Sequence, residues 1–367
     1  MVAPDLSTPV GVEVEPPRSR RRLRNYILGG IVGLLLVAIV TANFVRLPYY
    51  VISPGQVRPT QDAVQVEGRP TYRDSGEIGY TTVSSSEATA WSALIGWIDP
   101  ARDVFPAREV LGDETHEDNR ARNLQLMDSS KQTAEVVALR QLGYDVAATG
   151  TGAVIFEVVE GSAADGVLQP GDTVVAVDDQ PVGLAEDLVA ALAAHEPGDT
   201  VTLAIDQGPD EGPVAVPVTL GHHPDDAATA FLGVSSGTRE LQFDLPFEVS
   251  IDSGDVGGPS AGLAFTLATI DVLTPGSLTG GNDVAVTGTI RLDGTIGPIG
   301  GIHQKVETVK DHGSKLFLVP DDEYEEALQY ADGLQVVAVS DVTEALEALG
   351  SIGGDVEVAL AGDAATQ

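Results

Sequence analysis

DSGDVGGPSAGLAFTL, Asp252 to Leu267, followed by IGGIHQK, Ile299 to Lys305, is the pattern on which the reading of this chain turns. The first stretch sets Ser260 after a glycine–proline turn, at the mouth of an apolar segment that suits a buried helix. The second sets Lys305 in the opening turn of another helix, VETVKDHG, closed by Gly313. A serine hydroxyl is a weak nucleophile until a base takes its proton, and a neutral lysine amine can be that base. Burial and the positive end of a helix both disfavour the ammonium form and push the lysine pKa down. Taken singly, each residue has a plainer reading: Ser260 as a helix cap, Lys305 as a solvated side chain. The pair in one chain points to a Ser–Lys peptidase.

Working outward, Gly258 and Ala261 flank the serine as turn residues or oxyanion donors, since N–H groups at a helix start are free to bind negative charge. Thr287, in VAVTGTIRLDGTIGPIGG, is placed to hydrogen-bond Lys305, although a strand threonine needs no such role. Lys310 lies five residues on, about 140° around a helix, and faces elsewhere. His303 is the alternative base. His222 and His223 have no third residue spaced for a metal, so no metal or cofactor is expected.

Together Ser260, Lys305 and Thr287 resemble the proteolytic domain of the Lon family over roughly residues 223–349. There a serine in a PSAG segment is the nucleophile, a lysine in a GG(I/L)xxK segment the base, and a preceding threonine its support. The stretch before the serine reads DVGGPSAG, so the lysine that many members carry there is missing. No lysine in the chain is followed by Ser or Thr, so a nucleotide-binding P-loop is not expected. The resemblance is to membrane-anchored, ATP-independent Lon-like proteases of Gram-positive bacteria that carry a PDZ domain, and through GYTTVS and LMDSSKQTA it reaches back to about residue 47. It implies an α+β fold, a ribosomal-protein-like β/α protease domain, and hexameric assembly.

The β-rich run GAVIFEVVEGSAADGVLQPGDTVVAVDDQPV resembles a PDZ module, which binds a C-terminal or extended peptide by strand addition. The glycine loop Gly150-Thr151-Gly152 is the expected carboxylate-holding loop. Composition fits this class: hydrophobic residues make up 43% and charged residues 20%, and a net charge of −35 argues against nucleic acid as a partner. With no cysteine, thiolate chemistry and disulfides are excluded.

Upstream, Arg18, Arg20, Arg21, Arg22 and Arg24 precede an apolar run from Tyr26 to Val45. Such a run spans a hydrocarbon core of about 30 Å, and the basic flank keeps the N-terminus cytoplasmic. A cleaved signal peptide ending near Val40-Thr41-Ala42 is the competing reading. The expected organisation is a disordered basic N-terminus at 1–25 and a transmembrane helix at 26–45, with Tyr49 and Tyr50 at the headgroups. Protease segments at 47–142 and 223–349 then flank a PDZ module at 143–222, and a flexible acidic tail occupies 350–367. Within 47–142, Ser86 is the expected cap of a helix EATAWSALIGWI. Catalytic and PDZ parts are expected outside the cytoplasm, acting on protein or peptide substrates. A membrane-tethered PDZ adaptor on a protease-like fold is the non-catalytic alternative.

Overall fold

Alternating strands and helices toward the C-terminus build a mixed α/β fold around a six-stranded sheet. The computed structural model describes residues 18–73, 75–112, 114–206, 208, 212–224, 226, 228–362 and 364. Strand order across the sheet is Gln335–Val339, Leu316–Pro320, Asp283–Val286, Glu77–Thr89, Arg46–Pro59, Asp103–Pro106. The first four run parallel and the last two join antiparallel. Side chains of a strand alternate between faces, and Asp283–Val286 and Leu316–Pro320 use both. Val284, Val286, Leu316 and Leu318 face a core built with the long helix His116–Gln141 and the helix Gly262–Leu273. Ala285, Phe317 and Val319 face a second core built with the helices Ile302–His312 and Asp321–Tyr330. The helices carrying the candidate serine and lysine therefore cover opposite faces. Their starts meet beyond the carboxyl end of Asp283–Val286, where open α/β sheets characteristically leave a crevice.

The inserted module is a separate sheet with its own core of Ile155, Val174, Leu188, Val201, Leu203 and Ile205. Its order is Val214–Thr219, Thr200–Asp206, Thr173–Val177, Ala153–Val158, Val234–Thr238. The last strand lies beyond the expected boundary at 222. VSSGT lacks apolar alternation, and its place comes from pairing with Ala153–Val158. The two chain crossings sit side by side, Ala147–Thr149 pairing antiparallel with Gln242–Asp244.

Four further expectations change. The N-terminal helix runs Arg18–Ala42, so residues 18–25 are helical where disorder was expected, while residues 1–17 lie outside the described residues. The helix after Ser86 begins only at Ala90, capped by Thr89 and Ser92, because pairing with Arg46–Val51 keeps residues 86–89 in the sheet. That pairing also buries Tyr50, whose hydroxyl meets His116 Nδ1 at 3.0 Å, where an exposed tyrosine was expected. The expected tail forms the helix Glu357–Ala361, docked where Gln141 Nε2 donates to the Ala359 carbonyl at 2.9 Å; residues 363 and 365–367 of that segment lie outside the described residues.

Candidate active site

The serine turn is held from three sides. Gly258 adopts φ +96°, a region that favours glycine, and its N–H donates to the Asn123 carbonyl at 2.8 Å. Ser130 Oγ donates to the Pro259 carbonyl at 3.0 Å, clamping the turn to the long helix. Gly262 allows that approach, since a Cβ there would sit 2.7 Å from both Ser130 Oγ and Ile290 Cγ2. A one-turn 3₁₀ helix, Pro259–Ala261, passes into Gly262–Leu273, which is buried along its whole length. The Ser260 carbonyl accepts from the Gly288 N–H at 2.9 Å and from the Thr287 hydroxyl at 3.3 Å.

From the opposite face comes Lys305. Gly301, at φ +69°, turns the chain into the helix Ile302–His312, and the Lys305 N–H donates to its carbonyl at 3.0 Å. The helix is seated by Thr308, whose Oγ1 accepts the Gly55 N–H at 3.0 Å. The Lys305 side chain is only 2% exposed, and its Nζ lies 2.9 Å from Ser260 Oγ and 2.9 Å from Thr287 Oγ1. Burial lowers its pKa to about 7, partly opposed by the Glu323 carboxylate.

The hydrogen-bond directions follow from this geometry. The Thr287 proton is committed to the Ser260 carbonyl, so its oxygen accepts from Lys305. A neutral amine that gives one N–H to Thr287 can present its lone pair to the Ser260 hydroxyl. The ammonium instead donates to both oxygens and cannot take a proton. Ser260 and Lys305 open onto a cleft of about 980 Å³, walled by Thr81–Ser84, Val256–Gly258 and Pro298–Gly300 with Met127 at its side. Its opening arises where Asp283–Val286 ends opposite Tyr80 while the neighbouring strand continues to Thr89.

Other expected site residues fall differently. Gly258 is a turn residue, and its N–H is spent on Asn123, which removes it as an oxyanion donor. Ala261 is buried at the end of the 3₁₀ turn, lining the cleft beside Ser260. His303 stacks on Tyr330 at 3.8 Å between ring centroids and sits 3.5 Å from Asp103, so it is not the serine's partner. Lys310 faces elsewhere, held by Glu307 and Asp332.

In the inserted module the loop assignment is corrected. The Thr151 N–H donates to the Arg239 carbonyl at 2.9 Å and the Gly152 N–H to the Gly183 carbonyl at 3.0 Å. Gly150 is packed against Thr238 and Gly183. Gly150-Thr151-Gly152 is a tie between segments, with its Thr151 and Gly152 donors used internally. A strand-adding peptide needs a sheet edge, and Val234–Thr238 is one, flanked by the helix Ala185–Leu192 and preceded by Gly233 at φ +86°.

Sequence reading missed Asn123, Ser130 and Glu323. The first two act through the long helix, distant in sequence. Glu323 Oε1 accepts the Ile299 N–H at 2.9 Å and so holds the cleft wall, but nothing distinguishes it among 55 acidic residues.

The site thus sets a buried lysine amine on a serine hydroxyl in one α/β domain, into which a separate sheet with an open edge strand is inserted. Comparison with known proteins agrees. Residues 246–350 match the Lon protease (S16) C-terminal proteolytic domain and residues 140–218 the PDZ domain. The chain thus carries a Lon-type proteolytic domain and a PDZ domain. It is 29% identical over 116 residues to Lon protease 2 of Bacillus subtilis, covering 32% of this chain and 20% of that protein. To Lon protease of Azospirillum brasilense it is 36% identical over 124 residues, covering 33% of this chain and 15% of that protein. The chain therefore spans a fifth or less of the length of these two relatives. Among solved structures, the PDZ domain of an SdrC-like protein from Listeria monocytogenes matches 23% of this chain and 87% of its own, at 18% identity and a TM-score of 0.21.

Proposed function

We propose that this chain is a membrane-anchored serine endopeptidase that works by a Ser260–Lys305 dyad without ATP. The observation that carries the reading is the buried Lys305 amine, 2.9 Å from both Ser260 Oγ and Thr287 Oγ1. Neutral Lys305 takes the Ser260 proton as Oγ bonds to a peptide carbonyl carbon. The resulting tetrahedral intermediate collapses, the C–N bond breaks, and the Lys305 ammonium returns the proton to the departing amine. Water then attacks the acyl ester, its proton passing to Lys305 and from there to Ser260 Oγ, which leaves with the free serine restored. Thr287 orients the amine throughout. Oxyanion donors come from Ser260 onward or from the facing cleft wall, since Pro259 has no N–H and that of Gly258 is engaged.

Anchoring rests on the apolar, unburied span Arg24–Ala42, and topology on the arginines that precede it. The PDZ edge Val234–Thr238 takes an extended substrate segment and delivers it to the cleft. Nucleotide independence rests on the lack of a P-loop lysine.

The test is intact mass of the full chain in detergent after treatment with a fluorophosphonate or a peptidyl boronate. An adduct on Ser260, lost in both Ser260→Ala and Lys305→Met, supports the dyad. A folded protein that takes no label is the adaptor instead.

A further inference from the structure

The helix Ala90–Ile98, AWSALIGWI, is built inside out. A surface helix normally buries its large apolar residues and shows charge to water. Here the fully buried positions are Ala93 and Gly96, and a Cβ on Gly96 would meet Val104 Cγ2 at 2.6 Å. Small residues thus seat the helix on the sheet, while Leu94, Trp97 and Ile98 are 44%, 65% and 71% exposed. Spaced i, i+3, i+4, these three form one face. No residue of the helix is charged, in a chain where charged residues make up 20%. The ion pairs Arg46–Glu87 and Asp99–Arg102 flank its two ends.

Its position names the occupant. The Ala90 N–H donates to the Val45 carbonyl at 2.8 Å, just past the end of the N-terminal helix, which itself touches Ala90–Ile98. Phe44 and Val45, in the connection, are 81% and 52% exposed. Exposed apolar side chains thus occupy both the connection that leaves the anchor and the outer face of this helix, which are tied together by that hydrogen bond. Tryptophan favours the boundary between headgroups and acyl chains, and a short apolar helix lying along that boundary gains from burying its outer face.

We infer that Ala90–Ile98 and the Phe44–Val45 connection lie in the outer headgroup–acyl boundary of a phospholipid bilayer, docking the catalytic domain onto the membrane surface. This rests on the anchor reading above. It transfers the interfacial role expected of Tyr49 and Tyr50 to Trp97. Contact is apolar, so it does not depend on anionic lipid, which suits a chain of net charge −35.

The chain has two tryptophans, Trp91 and Trp97, both on this helix, so Trp91→Phe leaves Trp97 as the sole reporter. The full chain is reconstituted into phosphatidylcholine vesicles, and flotation establishes independently whether the anchor inserts. The expected result is flotation, a blue-shifted Trp97 emission, and stronger quenching by lipids brominated near the headgroup than by lipids brominated deep in the chain. Ile98→Asp in the same background should reduce both the shift and the quenching while flotation persists. Flotation with water-like emission and no quenching overturns the inference and leaves the anchor standing. If cysteines on this face then cross-link, a second copy is the occupant. A chain that does not float overturns the anchor and this inference together.

Discussion

Two glycine-rich segments, Gly257-Gly258-Pro259-Ser260 and Gly150-Thr151-Gly152, look alike in sequence and do opposite things in the structure. In both, main-chain N–H groups are consumed by distant carbonyls: Gly258 by Asn123, Thr151 by Arg239, Gly152 by Gly183. At the protease site this tethering fixes a side chain, Ser260, against a buried amine. In the inserted module it removes the donors that a ligand carboxylate would need. A glycine turn prepared to present a side chain can be read from residue types. One prepared to present backbone cannot, because long-range partners decide whether its donors are free.

The strongest way to break this contrast is at the side chains. Ser260→Ala and Lys305→Met should each lower peptide hydrolysis by at least about 10⁴-fold, as loss of a member of a dyad does. Lys310→Ala, whose amine is held by Glu307 and Asp332, should leave it unchanged. Next in size, Thr287→Val should cost about 10²-fold in kcat, on the order of 3 kcal/mol, while Thr287→Ser retains most activity because it keeps the hydroxyl that Lys305 donates to. An unaffected Thr287→Val would assign that threonine to the strand alone.

For the inserted module the comparison is sharpened by hydrogen exchange. A bound peptide should slow exchange at Val234–Thr238 and leave Gly150–Gly152 as protected as before. Slowing confined to the glycine segment would reinstate it as the ligand loop.

The smallest effect concerns Glu135, which lies in a pocket of about 290 Å³ with Val136, Leu241, Phe243 and Leu245, next to the chain's return from the module. Burial raises its pKa to about 7, partly offset by Lys131. The folded state therefore holds this proton where the unfolded chain has released it, and stability falls as pH rises from about 4.5 to about 7. Glu135→Gln should raise the melting temperature at pH 8, by about 1 kcal/mol of stability after allowance for its partial exposure, and change it little at pH 4.

Sequence alone went furthest where chemistry sits in side chains at fixed spacing. Ser260, Thr287 and Lys305 lie together as their motifs suggested, and the strand–helix alternation after Lys315 supplies two of the sheet's four parallel strands. What escaped was set by tertiary partners. Val234–Thr238 becomes a strand by pairing with Ala153–Val158. Residues 86–89 stay extended because Arg46–Val51 lies alongside. Ser130 and Glu323 hold the site by single hydrogen bonds that leave no periodic trace. The inverted face of Ala90–Ile98 was also hidden, since an all-apolar run does not say which side faces the sheet.

The most direct measurement is the titration of Lys305 itself. The chain has four lysines, at 131, 305, 310 and 315, so ¹³Cε-lysine labelling gives four resonances, with Lys305→Met identifying the one that matters. One resonance, absent in that variant, should titrate near 7, and hydrolysis should rise tenfold per pH unit below it and level off above. A Lys305 resonance that titrates in the ordinary lysine range would leave it an ammonium at neutral pH, unable to accept the Ser260 proton, and would contradict the dyad.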